Sequence, residues 1–157
     1  MPDAAERAYV TGLTLLARRE LAEAQLRARL IKRKFDPEDI DSAVARLRRE
    51  RALDDWRTAI ACARTEVRVR HHGRARILRQ IEALGITRDL ARQAVAEVFT
   101  ELDEAELLEQ ALDRRLRRGL DLRDPAIVRR VHRYLVGQGF DPSTVTGLLR
   151  RRRAQMT

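Results

Sequence analysis

Three times in this chain a helix-ending residue, an apolar side chain and a helix-starting cap follow one another in the same order. The segments are Lys34-Phe35-Asp36-Pro37, Gly85-Ile86-Thr87-Arg88 and Gly139-Phe140-Asp141-Pro142. Glycine suits the left-handed residue that closes a helix. Phe35, Ile86 and Phe140 stand where a hydrophobic staple would plug the corner before the next helix. Asp36, Thr87 and Asp141 can accept the first free backbone N–H groups, and Pro37 and Pro142 fit the first helical position. A chain punctuated in this way folds as a series of helical corners.

The flanking periodicity agrees. Before the plugs stand Leu26 and Leu30, Ile77 and Ile81, and Val131 and Leu135; after them stand Ile40 and Val44, Ala91 and Val95, and Val145 and Leu149. A spacing of four puts each pair on one face of a helix. An earlier helix belongs to each unit, carrying Tyr9, Leu13 and Leu16, then Trp56, Ile60, Ala63 and Val67, then Leu107, Leu108, Ala111, Leu112 and Leu116. Asp124-Pro125 opens a further helix. The plugs recur about every fifty residues, so the expected fold is all-α, with nine helices in tandem three-helix repeats forming an elongated, curved array. The expected units are 1–53, 54–103 and 104–157, the last with a basic C-terminal tail. The boundary hardest to place lies at 68–73.

Charge narrows the function. Thirty-three Lys and Arg against 24 Asp and Glu give +9, which favours nucleic acid or an acidic protein surface. All the basic residues except Lys32 and Lys34 are arginine, and codon bias explains such a skew as readily as phosphate binding does. Position therefore says more than abundance. Between Trp56 and Arg79 stand Arg57, Arg64, Arg68, Arg70, Arg74, Arg76 and Arg79 against the single Glu66, and the following segment to Glu104 is mostly acidic. Arg57, Arg64, Arg68, Arg76 and Arg79 lie off the apolar stripes and are expected to form an exposed basic strip across two helices. A second cluster is Arg150, Arg151, Arg152 and Arg153. Arg152 takes the place of the core-facing Leu47 and Val98, so the last helix is expected to fray into a cationic tail. These two clusters are the candidate partner- and phosphate-binding residues.

Catalytic readings find little support. One cysteine, Cys62, cannot form an internal disulfide or supply a structural zinc site, and it reads as a half-buried small residue in a reducing compartment. His71 and His72 fall at a basic turn and read as solvated. Asp54-Asp55 and Asp103-Glu104 precede helices and read as caps rather than an acid–base pair. Phosphate-cradling and nucleophile-elbow motifs are missing. Neither a catalytic residue, a metal nor a cofactor is expected. No apolar run approaches the ~18 residues of a membrane span, and the acidic N-terminus is unlike a signal peptide, so a cytoplasmic protein is expected. Phe35, Phe140 and Trp56 are assigned to the core, which leaves too few aromatics for base stacking.

Thr14-Leu15-Leu16-Ala17-Arg18-Arg19-Glu20 followed by Leu26, Leu30 and Phe35-Asp36, then Leu53-Asp54-Asp55, then His72-Gly73-x-x-Arg76-Ile77 with Gly85-Ile86, resembles the RecX family of RecA regulators over residues 8 to 150. The chain departs from the family pattern at Ala22, Lys34, Thr58 and Arg74, where a Ser or Thr cap, a glycine, an aromatic and a proline are usual. The resemblance implies tandem three-helix repeats. It also implies a non-enzymatic monomer that lies in the groove of the RecA nucleoprotein filament and suppresses ATP hydrolysis, strand exchange and coprotease activity. DNA would be touched weakly, through phosphates. The alternative on the residues themselves is an unspecific DNA-binding architectural protein with no filament partner.

Overall fold

The computed structural model describes residues 1–156; Thr157, the end of the expected third unit, lies outside the described residues. Among them there are nine α-helices and no strand. They are α1 (Ala4–Arg18), α2 (Glu23–Lys32), α3 (Pro37–Arg49), α4 (Asp55–Arg68), α5 (Arg74–Ala83), α6 (Arg88–Phe99), α7 (Glu104–Leu116), α8 (Pro125–Gly137) and α9 (Pro142–Ala154). The closest packing is within three successive triplets.

The corner logic holds in full at the second and third corners and in part at the first. Lys34, Gly85 and Gly139 all take positive φ, at 64°, 86° and 102°. The periodic pairs Leu26/Leu30, Ile77/Ile81 and Val131/Leu135 are fully buried, and the pairs after the plugs are buried with them. Asp141 accepts the N–H of Thr144 at 2.9 Å and Thr87 that of Leu90 at 3.4 Å. Asp36 has cap backbone geometry, yet its side chain accepts no cap hydrogen bond. Ile86 and Phe140 are buried plugs, whereas Phe35 is only half-buried.

Each triplet encloses its own apolar cluster. The first centres on Leu15, Leu26, Leu30, Val44 and Leu47, the second on Ala63, Ile77, Ile81, Ala91 and Val95, and the third on Leu112, Leu122, Val131, Leu135 and Val145. Three small cores in line expose more surface than one large core. The accessible surface is 9925 Å², against roughly 8,100 Å² for a compact monomer of this mass. The molecule is elongated.

Small residues make the joints between triplets. Ala22, on the first, is fully buried within the core of the second, and a Cβ at Gly85 would run into the Cβ of Ala24. At the second joint, a Cβ at Gly73 would lie 2.6 Å from the carbonyl of Gly139, and one at Gly139 would lie 2.5 Å from the nitrogen of Arg76. There the chain of α5 begins directly on the end of α8. Gly73 donates its N–H to Gln138 O at 2.8 Å, and Ala75 donates to Gly139 O at 3.2 Å. The positive end of one helix thereby meets the negative end of another.

Candidate docking surface

The seven arginines between Trp56 and Arg79 divide into those held by a partner and those left without one. Arg57 belongs to the first joint: its guanidinium donates to Glu20 Oε1 at 2.8 Å and to the carbonyls of Arg51 and Ala52 at 2.8 and 3.2 Å. Arg74 and Arg76 belong to the second. Arg74 pairs with Glu104 and covers the ring of Phe99 at 4.7 Å, while Arg76 donates to Gly137 O and Gln138 Oε1 at 3.3 and 3.2 Å. Arg70 sits 3.5 Å from Glu66. The remaining three, Arg64, Arg68 and Arg79, are exposed and have neither a hydrogen bond nor an ion pair among the described residues. Arg64 and Arg68 border a polar hollow between α4 and the end of α6, which Glu97 and Glu101 also line. The single strip expected from the helical wheel is thus divided, because a wheel places a residue on its own helix and says nothing of neighbouring units.

The C-terminal cluster also departs from expectation. α9 remains helical through Ala154. Arg152, at the place of core residues in the earlier units, reaches Asp113 at 2.8 Å and Glu109 at 3.5 Å on α7. Carboxylates on the neighbouring helix replace the missing apolar contact, and the helix does not fray there. Arg153 donates to Arg123 O at 3.4 Å, whereas Arg150 and Arg151 are exposed without a partner among the described residues.

Three further expectations need correction. His72 is buried, with Nδ1 in close contact with Glu66 Oε2, and its backbone N–H donates to Glu66 O at 3.0 Å. The turn through the left-handed His71, φ 55°, folds His72 back onto α4, a return that residue types alone do not disclose. His71 is half-buried beside Arg114, and burial, then the Arg114 charge, lowers its pKa. Trp56 is 39% exposed. Packing against the first unit turns the buried arc of α4 toward Thr58, Ala59, Ala63 and Glu66, leaving Trp56 at its margin. Finally, the first member of each acidic pair caps its helix as expected, Asp54 accepting the N–H of Arg57 and Asp103 those of Ala105 and Glu106, but Asp55 caps α2 instead and Glu104 pairs with Arg74.

Cys62 is half-buried on α4, and burial pushes its thiol pKa up, away from a reactive thiolate. Among the described residues no group of His, Cys, Asp or Glu is arranged to hold a metal ion, and no helix is long and apolar enough to cross a membrane. The arrangement offers contact surface: unpaired guanidinium groups fixed on rigid helices.

Known proteins share this organisation. A family model described as the first three-helix domain of RecX matches residues 8–47. Regulatory protein RecX of Treponema pallidum is 35% identical over 112 residues, covering 71% of this chain and 68% of that protein. RecX of Syntrophotalea carbinolica is 33% identical over 137 residues, covering 85% and 88%. The crystal structure of RecX from Lactobacillus salivarius superposes with a TM-score of 0.84 over 99% of both chains at 15% identity, a likeness of fold. With sequence relatives matched over most of their length and the three-helix architecture in common, the chain belongs to the RecX family of regulatory proteins.

Proposed function

We propose that this protein regulates the RecA recombinase by docking on the RecA–DNA filament in the cytoplasm. It slows ATP hydrolysis, strand exchange and coprotease activity without performing chemistry of its own. The observation that carries the reading is the division of labour among the arginines. Some lock the units together, while Arg64, Arg68 and Arg79 are exposed on the middle unit and make no hydrogen bond or ion pair among the described residues. Unpaired cations on a rigid body favour an acidic protein face or a phosphate backbone.

A filament is a lattice of identical subunits, and an elongated monomer of three linked units can touch more than one of them. Bridging two subunits fixes their relative position. ATP turnover in RecA depends on the subunit interface, so a bridge inhibits without entering the nucleotide site. Phosphate contacts to DNA are secondary, salt-sensitive and indifferent to sequence. The test is to titrate the protein into RecA turning over ATP on single-stranded DNA. The expected result is saturable inhibition at protein concentrations that leave free DNA unbound. Equal affinity for DNA with and without RecA, and unchanged ATP turnover, would refute it.

A further inference from the structure

A concavity of about 660 Å³ lies away from the middle unit, between α8 and α9. Its floor is apolar, formed by Val128, Val136 and Leu149. Its rim carries Arg129, Arg133, Arg150 and Arg153, and no carboxylate lines it. Of these, Arg129, Arg133 and Arg150 are exposed and make no hydrogen bond or ion pair among the described residues. His132 pins the two walls together, its Nε2 lying 3.0 Å from Thr146 Oγ1 and 3.3 Å from the carbonyl oxygen of Pro142.

We infer that this groove is a docking site for an acidic amphipathic helix of a partner protein. From Val128 to Val136 the groove follows α8 for about 12 Å, and apolar anchors at i, i+4 and i+7 of a bound helix span about 10.5 Å. Such a segment places its apolar edge on the valine and leucine floor and its carboxylates against the arginine rim. A nucleic-acid backbone satisfies the rim alone. It would set charged phosphates over an apolar floor that offers no hydrogen bond, a costly arrangement. Charge and floor together therefore select a protein segment. The inference is independent of the filament reading, because it names a site on the third unit and its test contains no RecA.

The test measures fluorescence anisotropy of a labelled helical peptide of about five turns, with leucines along one face and glutamates elsewhere. Two further probes are a scrambled peptide of the same composition and a labelled oligothymidylate of similar length. The whole protein is compared with Arg129→Glu/Arg133→Glu, after circular dichroism shows unchanged helix content. Saturable binding of the amphipathic peptide is expected, weakened at least tenfold both by scrambling and by the double reversal. Absence of peptide binding, or equal binding of the scrambled peptide, overturns the proposal. So does a double reversal that abolishes oligothymidylate binding while leaving peptide binding intact; in that case the groove is a phosphate site.

Discussion

Asp55, the first residue of α4, accepts the backbone N–H of Glu23, the first residue of α2, at 2.8 Å across the joint between units one and two. Ala22, at the N-cap of α2, has no side-chain acceptor, so the next unit supplies it. The second joint repeats the arrangement by other means. Gly73 cannot cap α5, and the carbonyls of Gln138 and Gly139 receive the N–H groups of Gly73 and Ala75. In the third unit α8 is capped from within, by Asp124 on the N–H of Ala126 at 2.8 Å. The middle helix of each of the first two units therefore completes its first turn only when the following unit is in place.

Asp55→Ala should cost about 1 kcal/mol, the usual worth of a cap, and lower Tm by roughly 2–4 °C. Asp55→Asn keeps an acceptor and should be at least as stable as the wild type near neutrality. Burial raises the Asp55 carboxyl pKa above its ordinary value, against the opposing hydrogen bond from Glu23. A carboxyl raised on folding favours the fold while protonated, and that contribution is lost as pH rises through the folded-state value. The advantage of Asn over Asp should therefore shrink as the pH is lowered through that window. Thermal melts of the three proteins from pH 3 to 7 decide it; an advantage that grows on acidification would reverse the sign assigned here.

The second joint should be the less forgiving. Gly139→Ala meets both a φ of 102° and the nitrogen of Arg76, and Gly73→Ala meets the Gly139 carbonyl. Each should cost about 1–3 kcal/mol through overpacking. Gly119 provides the comparison: its φ is 78°, but a Cβ there touches nothing within 4 Å. Gly119→Ala should cost only the left-handed penalty, about 1 kcal/mol. Equal melting losses at Gly119 and Gly139 would mean that backbone conformation, not close approach, dominates the joint.

Features carried by one helix and its own corner were legible from residue types. The plugs, the left-handed residues and the paired apolar positions repeat in sequence because each acts on neighbours only a few positions away. The joints were not legible. Arg57 and Arg76 read as surface because their helical wheels point away from their own unit's core, yet both grip an adjacent unit. Ala22 read as a lost cap, while its role is to let α2 approach the second core. The basic residues that remain unpaired could be named only after the paired ones were removed. The α8–α9 groove was hidden because Val128, Val136 and Leu149 come to line one hollow only once the two helices have packed together.

Glu66 and His72 form a buried polar pair on the middle unit, with side chains 9% and 7% exposed. Arg70, 3.5 Å from the same carboxylate, is itself 63% exposed and satisfies Glu66 only from the solvent side. His72→Leu leaves the carboxylate facing an apolar side chain and should cost about 3 kcal/mol, or roughly 6–12 °C in Tm. The double change Glu66→Leu/His72→Leu removes the stranded charge as well, and should recover most of that loss. Chemical denaturation of the double variant and of both single variants, His72→Leu and Glu66→Leu, gives the coupling. Additive losses would show that the two side chains are stabilised separately.

The final prediction concerns the unpaired arginines of the middle unit. Arg76 is unsuitable for a charge reversal, since its guanidinium holds α5 to the end of α8 and its loss would confuse folding with docking. Arg64, Arg68 and Arg79 have no such duty. Arg64→Glu, Arg68→Glu and Arg79→Glu together reverse three exposed charges. Surface substitutions of this kind usually stay within about 0.5 kcal/mol each, so the melting curve should move little. Like charges brought together across an interface cost several kcal/mol, and the concentration needed to halve RecA ATP turnover should rise at least about tenfold. Arg57→Ala should behave in the opposite way, lowering stability at the first joint while changing inhibition by the folded fraction alone. A triple variant that melts and inhibits like the wild type would clear these three arginines of a docking role, and the filament contact would have to be sought at Arg92 of the same unit or on units one and three.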